Sequence, residues 1–275
     1  MPRTEFRFPS ANRDWPSIQE RLDELGIPAA LQVELRTKLA GSMEGLLLYG
    51  SWARGDANDY SDLDVLAVGY RGLVPASEGR VSFSSYSADE LRAATGTLFG
   101  HHLARDGVIL LDRDGVLSSV LSEIRPPTAG SVATRIRDLS PVLDVSETDE
   151  LKYIEGLTKV ARYLLRSALY AEALDAGQPC YSVREIAQRR EEPELAMLLS
   201  SHEGIRPVAS LEVLNDLGSR LAAVVGPLQA NPFRTLHGLI EGSWDTNREL
   251  SNFATLCLAV DDEELPYDEL PKVVL

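Results

Sequence analysis

Residues 45–68 read GLLLYGSWARGDANDYSDLDVLAV, and this stretch constrains the fold more than any other part of the chain. An apolar run, Leu46 to Tyr49, ends at Gly50-Ser51. A polar loop containing Gly55 follows, and Asp62-Leu63-Asp64 opens a second apolar run, Val65 to Val68. The pattern predicts strand, turn, short helical start and strand. Side chains two apart in a strand share a face, so Asp62 and Asp64 are expected side by side, with Leu63 buried beneath them. Neighbouring carboxylates repel unless a cation lies between them, and hard oxygen ligands suit Mg²⁺. Gly50 permits a tight turn and a close backbone approach, while Ser51 brings a hydroxyl and a backbone N–H to a helix start. A plain turn capped by its aspartates would leave the shared strand face unexplained.

An apolar strand ending in Gly50-Ser51, followed by Asp62-x-Asp64 in a second strand, resembles the nucleotidyltransferase superfamily of the DNA polymerase beta type. Arg54, Gly55, Asp56 and Ser61 also fit the bacterial form GSxARGDAxxxSDLD. The resemblance implies a small mixed-sheet nucleotidyltransferase domain that moves a nucleoside monophosphate, AMP most often, from a triphosphate to a hydroxyl. It implies Mg²⁺ on Asp62 and Asp64 as the catalytic pair, and a nucleotide such as ATP held by Gly50, Ser51, Arg54 and Ser61. A small catalytic domain followed by a helical one is similar to the bacterial aminoglycoside and antitoxin-type nucleotidyltransferases, so the implied acceptor is a small molecule or a protein. The motif covers a small part of the chain and does not choose between them.

Composition bounds the rest. A chain of 275 residues, 44% hydrophobic and 25% charged, can bury the core of one large or two ordinary domains. Its net charge of −15 argues against gripping long nucleic acid through the general surface. No apolar run is long enough to span a bilayer and the N-terminus lacks a hydrophobic signal core, so no membrane contact and a cytoplasmic address are expected. Cys180 and Cys257 lie far apart without metal-ligand spacing and read as buried thiols.

Helical spacing is expected over 14–25, with Asp14 as cap, and over 28–44, leading into the motif. Residues 71–79 read as a loop, 80–87 as a strand of the same sheet, 88–107 as one helix, 108–112 as a strand and 115–125 as a helix. Pro126-Pro127 marks a boundary. The expected organisation is α+β: a nucleotidyltransferase domain over 1–125, an all-helical domain over 126–260, and an acidic, proline-broken tail over 261–275.

Superfamily members place a third carboxylate on the strand beside the Asp pair, but here that strand offers Ser82 and Ser84. A hydroxyl cannot take a proton near neutral pH as a carboxylate can. Three readings stay open. Glu78, Asp89, Glu90 or an acid of the helical domain supplies the missing group, a single Mg²⁺ suffices, or the protein binds a nucleotide without turning it over.

The segment 147–176 reads as one long helix, capped by Thr148 or Ser146. Lys152, Lys159, Arg162, Tyr163, Arg166 and Tyr170 fall on one arc, opposite an apolar face. With four lysines against twenty-three arginines in an acidic chain, two lysines on one face stand out. An amphipathic helix with a solvated outer face is the ordinary reading. The resemblance instead assigns Lys152, Lys159 and Arg166 to phosphates, and Tyr163 or Tyr170 to the base or sugar. His101 and His102, in FGHHLARDG, are expected to link their helix to the sheet rather than to serve acid–base catalysis, and His202 and His237 to be structural.

Overall fold

The computed structural model describes residues 11–72, 79–200 and 205–258. Glu78, His202, the tail 261–275 and most of the expected loop 71–79 lie outside the described residues. The chain forms two compact units, Met1–Pro126 and Pro127–Leu275.

In the first unit β1 (Gly45–Tyr49), β2 (Leu63–Val68), β3 (Val81–Tyr86) and β4 (Val108–Asp112) make a mixed sheet in the order β3-β2-β1-β4. β1 runs antiparallel to β2 and β4, and β3 runs parallel to β2. Helices α1 (Ala11–Glu24) and α2 (Ala29–Lys38) precede the sheet, α3 (Gly50–Arg54) joins β1 to β2, and α4 (Ala88–Arg92), α5 (Leu98–Asp106) and α6 (Val116–Glu123) follow β3.

Strand alternation divides the core in two. Leu46, Leu48, Leu63, Val65 and Val81 point to the side packed by Trp15, Ile18, Leu31 and Leu35 of α1 and α2. Leu47, Leu66 and Val68 point to the side packed by Leu91, Leu103, Leu117 and Val120 of α4 to α6. By the same period of two, Tyr49, Asp64, Ser82 and Ser84 belong to the α4–α6 side.

Three expectations are corrected in this unit. Asp14 is not a cap, because α1 already begins at Ala11 and the Asp14 carboxylate pairs with Arg113, ninety-nine residues away. α2 ends at Lys38 rather than continuing to residue 44. The single helix expected over 88–107 is two, because Gly96 takes φ 76° and the Thr97 side chain restarts the chain by accepting from the Gly100 N–H.

The described part of the second unit contains helices and no strand. These are α7 (Ala129–Leu139), a 3₁₀ turn (Ser140–Leu143), α8 (Glu147–Lys152), α9 (Ile154–Asp175), α10 (Val183–Arg189), α11 (Pro193–Leu198), α12 (Leu211–Val225), α13 (Leu236–Ser243) and α14 (Arg248–Leu258). α9 is the central element, packed by α7, α12 and α14. The fold is therefore mixed α+β, with the sheet in the N-terminal half and a helical C-terminal region. Among the described residues no helix is long and apolar enough to cross a membrane.

Candidate functional site

The ends of three strands meet at one edge of the first unit. Tyr49, last in β1, stands opposite Asp64 near the start of β2, and Asp64 stands opposite Ser82 near the start of β3. After Tyr49 the chain turns through Gly50 at φ 74°, in the left-handed region that glycine alone enters at little cost. The turn carries the α3 backbone against the carboxylate, so that a Cβ on Gly50 would lie 2.3 Å from Asp64 Oδ2. α3 is stopped after one turn by Gly55, also left-handed, whose N–H bonds to Ser51 and Trp52 carbonyls.

Leu63 is fully buried, Asp64 is partly buried and Asp62 is exposed, one residue ahead of the first strand residue. Burial first, and the Asp62 charge second, push the Asp64 carboxyl up to about 7, while Arg54 and a hydrogen bond from Ser82 act in the opposite sense. Burial, followed by the Asp64 charge, also lifts the Tyr49 phenol well above its ordinary range. Asp64 is thus a desolvated carboxylate held beside a second one.

The loop between α3 and β2 is closed by its own side chains. The Ser61 hydroxyl, expected to meet a nucleotide, is buried and donates to Asn58 Oδ1 at 3.1 Å while accepting from the Asn58 N–H at 2.9 Å. Its carbonyl accepts from Arg80 Nη2 at 2.7 Å. Ser61 therefore sets the loop that delivers Asp62. Ser51 is half-buried in α3. Arg54, at the end of α3, donates from Nη1 to His102 Nε2 at 3.0 Å and lies 3.2 Å from Asp56 through Nη2. The Arg54 bond links α5 to α3. His102 also meets the Tyr49 ring edge-on, with centroids 6.2 Å apart.

Two carboxylates are a partial ligand set for a hard cation. Among the described residues no group of three or more His, Cys, Asp or Glu side chains could hold a metal. Asp89 pairs with Arg92 at 2.9 Å, and Glu90 accepts from the N–H and hydroxyl of Ser87 in a capping box, so both acids are engaged at α4. The register puts the Ser82 hydroxyl beside Asp64, where a third carboxylate was sought. A desolvated carboxylate with a like charge beside it fits Mg²⁺, which keeps several waters and phosphate oxygens among its ligands.

Lys152, Lys159, Tyr163 and Arg166 belong to the second unit. The helix expected over 147–176 is interrupted at Tyr153, with φ −118° and ψ 26°, so Lys152 closes α8 while the others ride on α9. Ser146 caps α8, accepting from the Asp149 N–H. Lys152 lies over the Tyr153 ring at 4.8 Å, and Arg166 lies 6.0 Å from the centre of the Tyr163 ring, which in turn packs on Phe253. Lys159 is exposed. Arg162, placed by its spacing on the same arc, is buried and donates to the Leu198 and Pro207 carbonyls at 2.9 Å each, so it serves the helical core. Tyr170 packs edge-on against Tyr181. Cys180 and Cys257 are free, buried thiols, both pushed up by burial.

Sequence reading gave His102 and Tyr49 no part in the site. Their signals are an imidazole directly ahead of Leu103, which plants α5 on the sheet, and an aromatic directly ahead of Gly50. No protein-family model matches the chain, and a comparison with curated proteins finds no match either.

Proposed function

We propose that the chain is a Mg²⁺-dependent nucleotidyltransferase that moves a nucleoside monophosphate, AMP first among the candidates, from a triphosphate to a hydroxyl of a small molecule or a protein. The observation that carries this reading is the close approach of Gly50 to Asp64, which sets the backbone of a glycine turn directly against the carboxylate pair. Asp62 and Asp64 hold the cation, which when bound neutralises phosphate charge and draws electrons from the phosphorus under attack. Gly50 and Ser51 bind phosphate oxygens through backbone N–H and hydroxyl, and Arg54 adds positive charge from the end of α3. Ser61, locked to Asn58, keeps Asp62 in reach of the cation.

A second reading, a nucleotide-binding or antitoxin-like interaction module without turnover, draws on Ser82. A serine beside Asp64 supplies no base for the attacking hydroxyl. Calorimetric titration of the four ribonucleoside triphosphates, with and without Mg²⁺, tests both readings. Mg²⁺-dependent binding lost in Asp62→Asn/Asp64→Asn is expected, and absence of binding by folded protein rejects the enzyme and leaves the chain an interaction module. Pyrophosphate release in the presence of a hydroxyl acceptor separates the enzyme from the module.

A further inference from the structure

Arg54 and His102 are forty-eight residues apart in sequence and 3.0 Å apart in the fold. A guanidinium has donors and no acceptor, so in this bond His102 Nε2 must be the acceptor. The imidazole is therefore neutral and carries its proton on Nδ1. Asp106 Oδ2, 3.9 Å from the same Nε2, would favour the charged ring, but Nε2 cannot hold a proton and accept from Arg54 at once. Asp106 is instead paired with Arg105 at 2.9 Å. The groups facing His102 are Arg54 from α3, and Arg105, Asp106 and His101 from its own helix, with the Tyr49 ring of β1 against it. Burial first, then the Arg54, Arg105 and His101 charges, hold the ring down to about 3. Arg54 is well covered, yet its buried Nε has no hydrogen-bond partner among the described residues, and its charge acts on Asp64.

We propose that His102 is a positioning residue: as a permanently neutral acceptor it anchors one arm of the Arg54 guanidinium, so that Arg54 is held beside the Asp62–Asp64 pair to meet the phosphates of a bound nucleotide. Arg54 already has one carboxylate beside it, with Asp56 3.2 Å from Nη2, so a second in place of the imidazole would leave the group net negative, whereas a neutral acceptor orients the other arm of the guanidinium and adds no further negative charge. The purpose given to Arg54 rests on the nucleotide-site reading; the state of His102 does not.

Two measurements on the full chain test this. ¹⁵N NMR of the histidines, with His102 identified by its loss in His102→Gln, is expected to show a neutral, Nδ1-protonated ring from pH 8 down to about 5, the acid end at which an unperturbed histidine is mostly charged. Titration with Mg²⁺-ATP is expected to weaken by about tenfold or more in His102→Leu, and by no more than about threefold in His102→Gln, whose side-chain carbonyl can accept from Arg54. In an Arg54→Ala background, His102→Leu is expected to add no further loss. Melting curves confirm that each variant is folded. A ring that titrates normally or is protonated on Nε2, or equal losses in both His102 variants or with Arg54 already removed, would overturn the inference in a protein that still binds nucleotide. Absence of nucleotide binding by the wild-type protein overturns the functional reading and the purpose of Arg54 with it, whatever the NMR shows.

Discussion

Gly50 and Asp64 act as one unit, because the backbone of one occupies the space that any side chain there would take from the other. Gly50→Ala meets both a left-handed backbone cost of about 1–2 kcal/mol and a direct clash with the carboxylate. Urea unfolding is expected to show at least that loss, with nucleotide binding abolished; an unchanged midpoint and affinity would refute the close approach. Asp64 gives a pH signature of definite sign. Its folded pKa of about 7 lies above the ordinary 3.8, so between these values the native state holds a proton that the unfolded chain has released. Stability from this group therefore falls as pH rises through that window and stays reduced above it. In chelator-treated protein at pH 8, Asp64→Asn is expected to raise stability, by up to about 4 kcal/mol. Mg²⁺ is expected to stabilise the wild type but not this variant, and a destabilised Asp64→Asn would contradict the burial argument. His102 has the opposite sign: its depressed pKa leaves it neutral while the unfolded ring charges, so its contribution falls as pH drops from about 6.5 towards 3. The adjacency of Gly50 to the Asp pair was legible because all three lie within one short stretch. His102 was not legible as a site residue, because nothing in FGHHLARDG states which of two adjacent imidazoles turns towards Arg54.

Between elements, Glu34 couples α2 to the start of β3. Its carboxylate accepts from the Val81 N–H at 2.9 Å and the Arg80 N–H at 3.3 Å, and Arg80 in turn holds the Ser61 carbonyl. Glu34→Ala is expected to cost about 1–3 kcal/mol and to weaken nucleotide binding through the Asp62 loop, measured by unfolding and calorimetry. A loss of stability with unchanged affinity would show that the loop stands without this link. In the helical unit Arg162→Ala removes donors from two carbonyls at a buried site, and about 3 kcal/mol of stability is the expected loss. A surface-like effect below about 0.5 kcal/mol would restore Arg162 to an exposed face. The basic stripe illustrates why helical periodicity misled here. Periodicity detects one apolar face, but α9 is packed from several sides, so a residue that reads as outward is drawn inside and bonded to backbone. The break at Tyr153 has no proline or glycine to announce it.

At the scale of the whole molecule, a net charge of −15 and a pI near 4.7 mean that self-repulsion opposes the compact state at neutral pH. Raising salt from about 20 mM to about 200 mM is therefore expected to increase the melting temperature, and a decrease would show that attractive pairs such as Arg135–Glu249 and Arg220–Glu192 outweigh the repulsion. The sequence by itself determined the fold class, the strands of the sheet and the carboxylate pair beside a glycine turn, because strand alternation, turn chemistry and the spacing of 45–68 are local properties. Only the tertiary structure decided that Asp14 meets Arg113 instead of capping a helix, that Ser61 is spent on Asn58, that Arg162 is interior and that His102 holds Arg54. The Asp14, Arg162 and His102 contacts join residues far apart in the chain, and even Ser61 is engaged by a loop conformation that its spacing does not reveal. Which partner a polar side chain takes depends on which elements pack together, and burial then makes that choice expensive to undo.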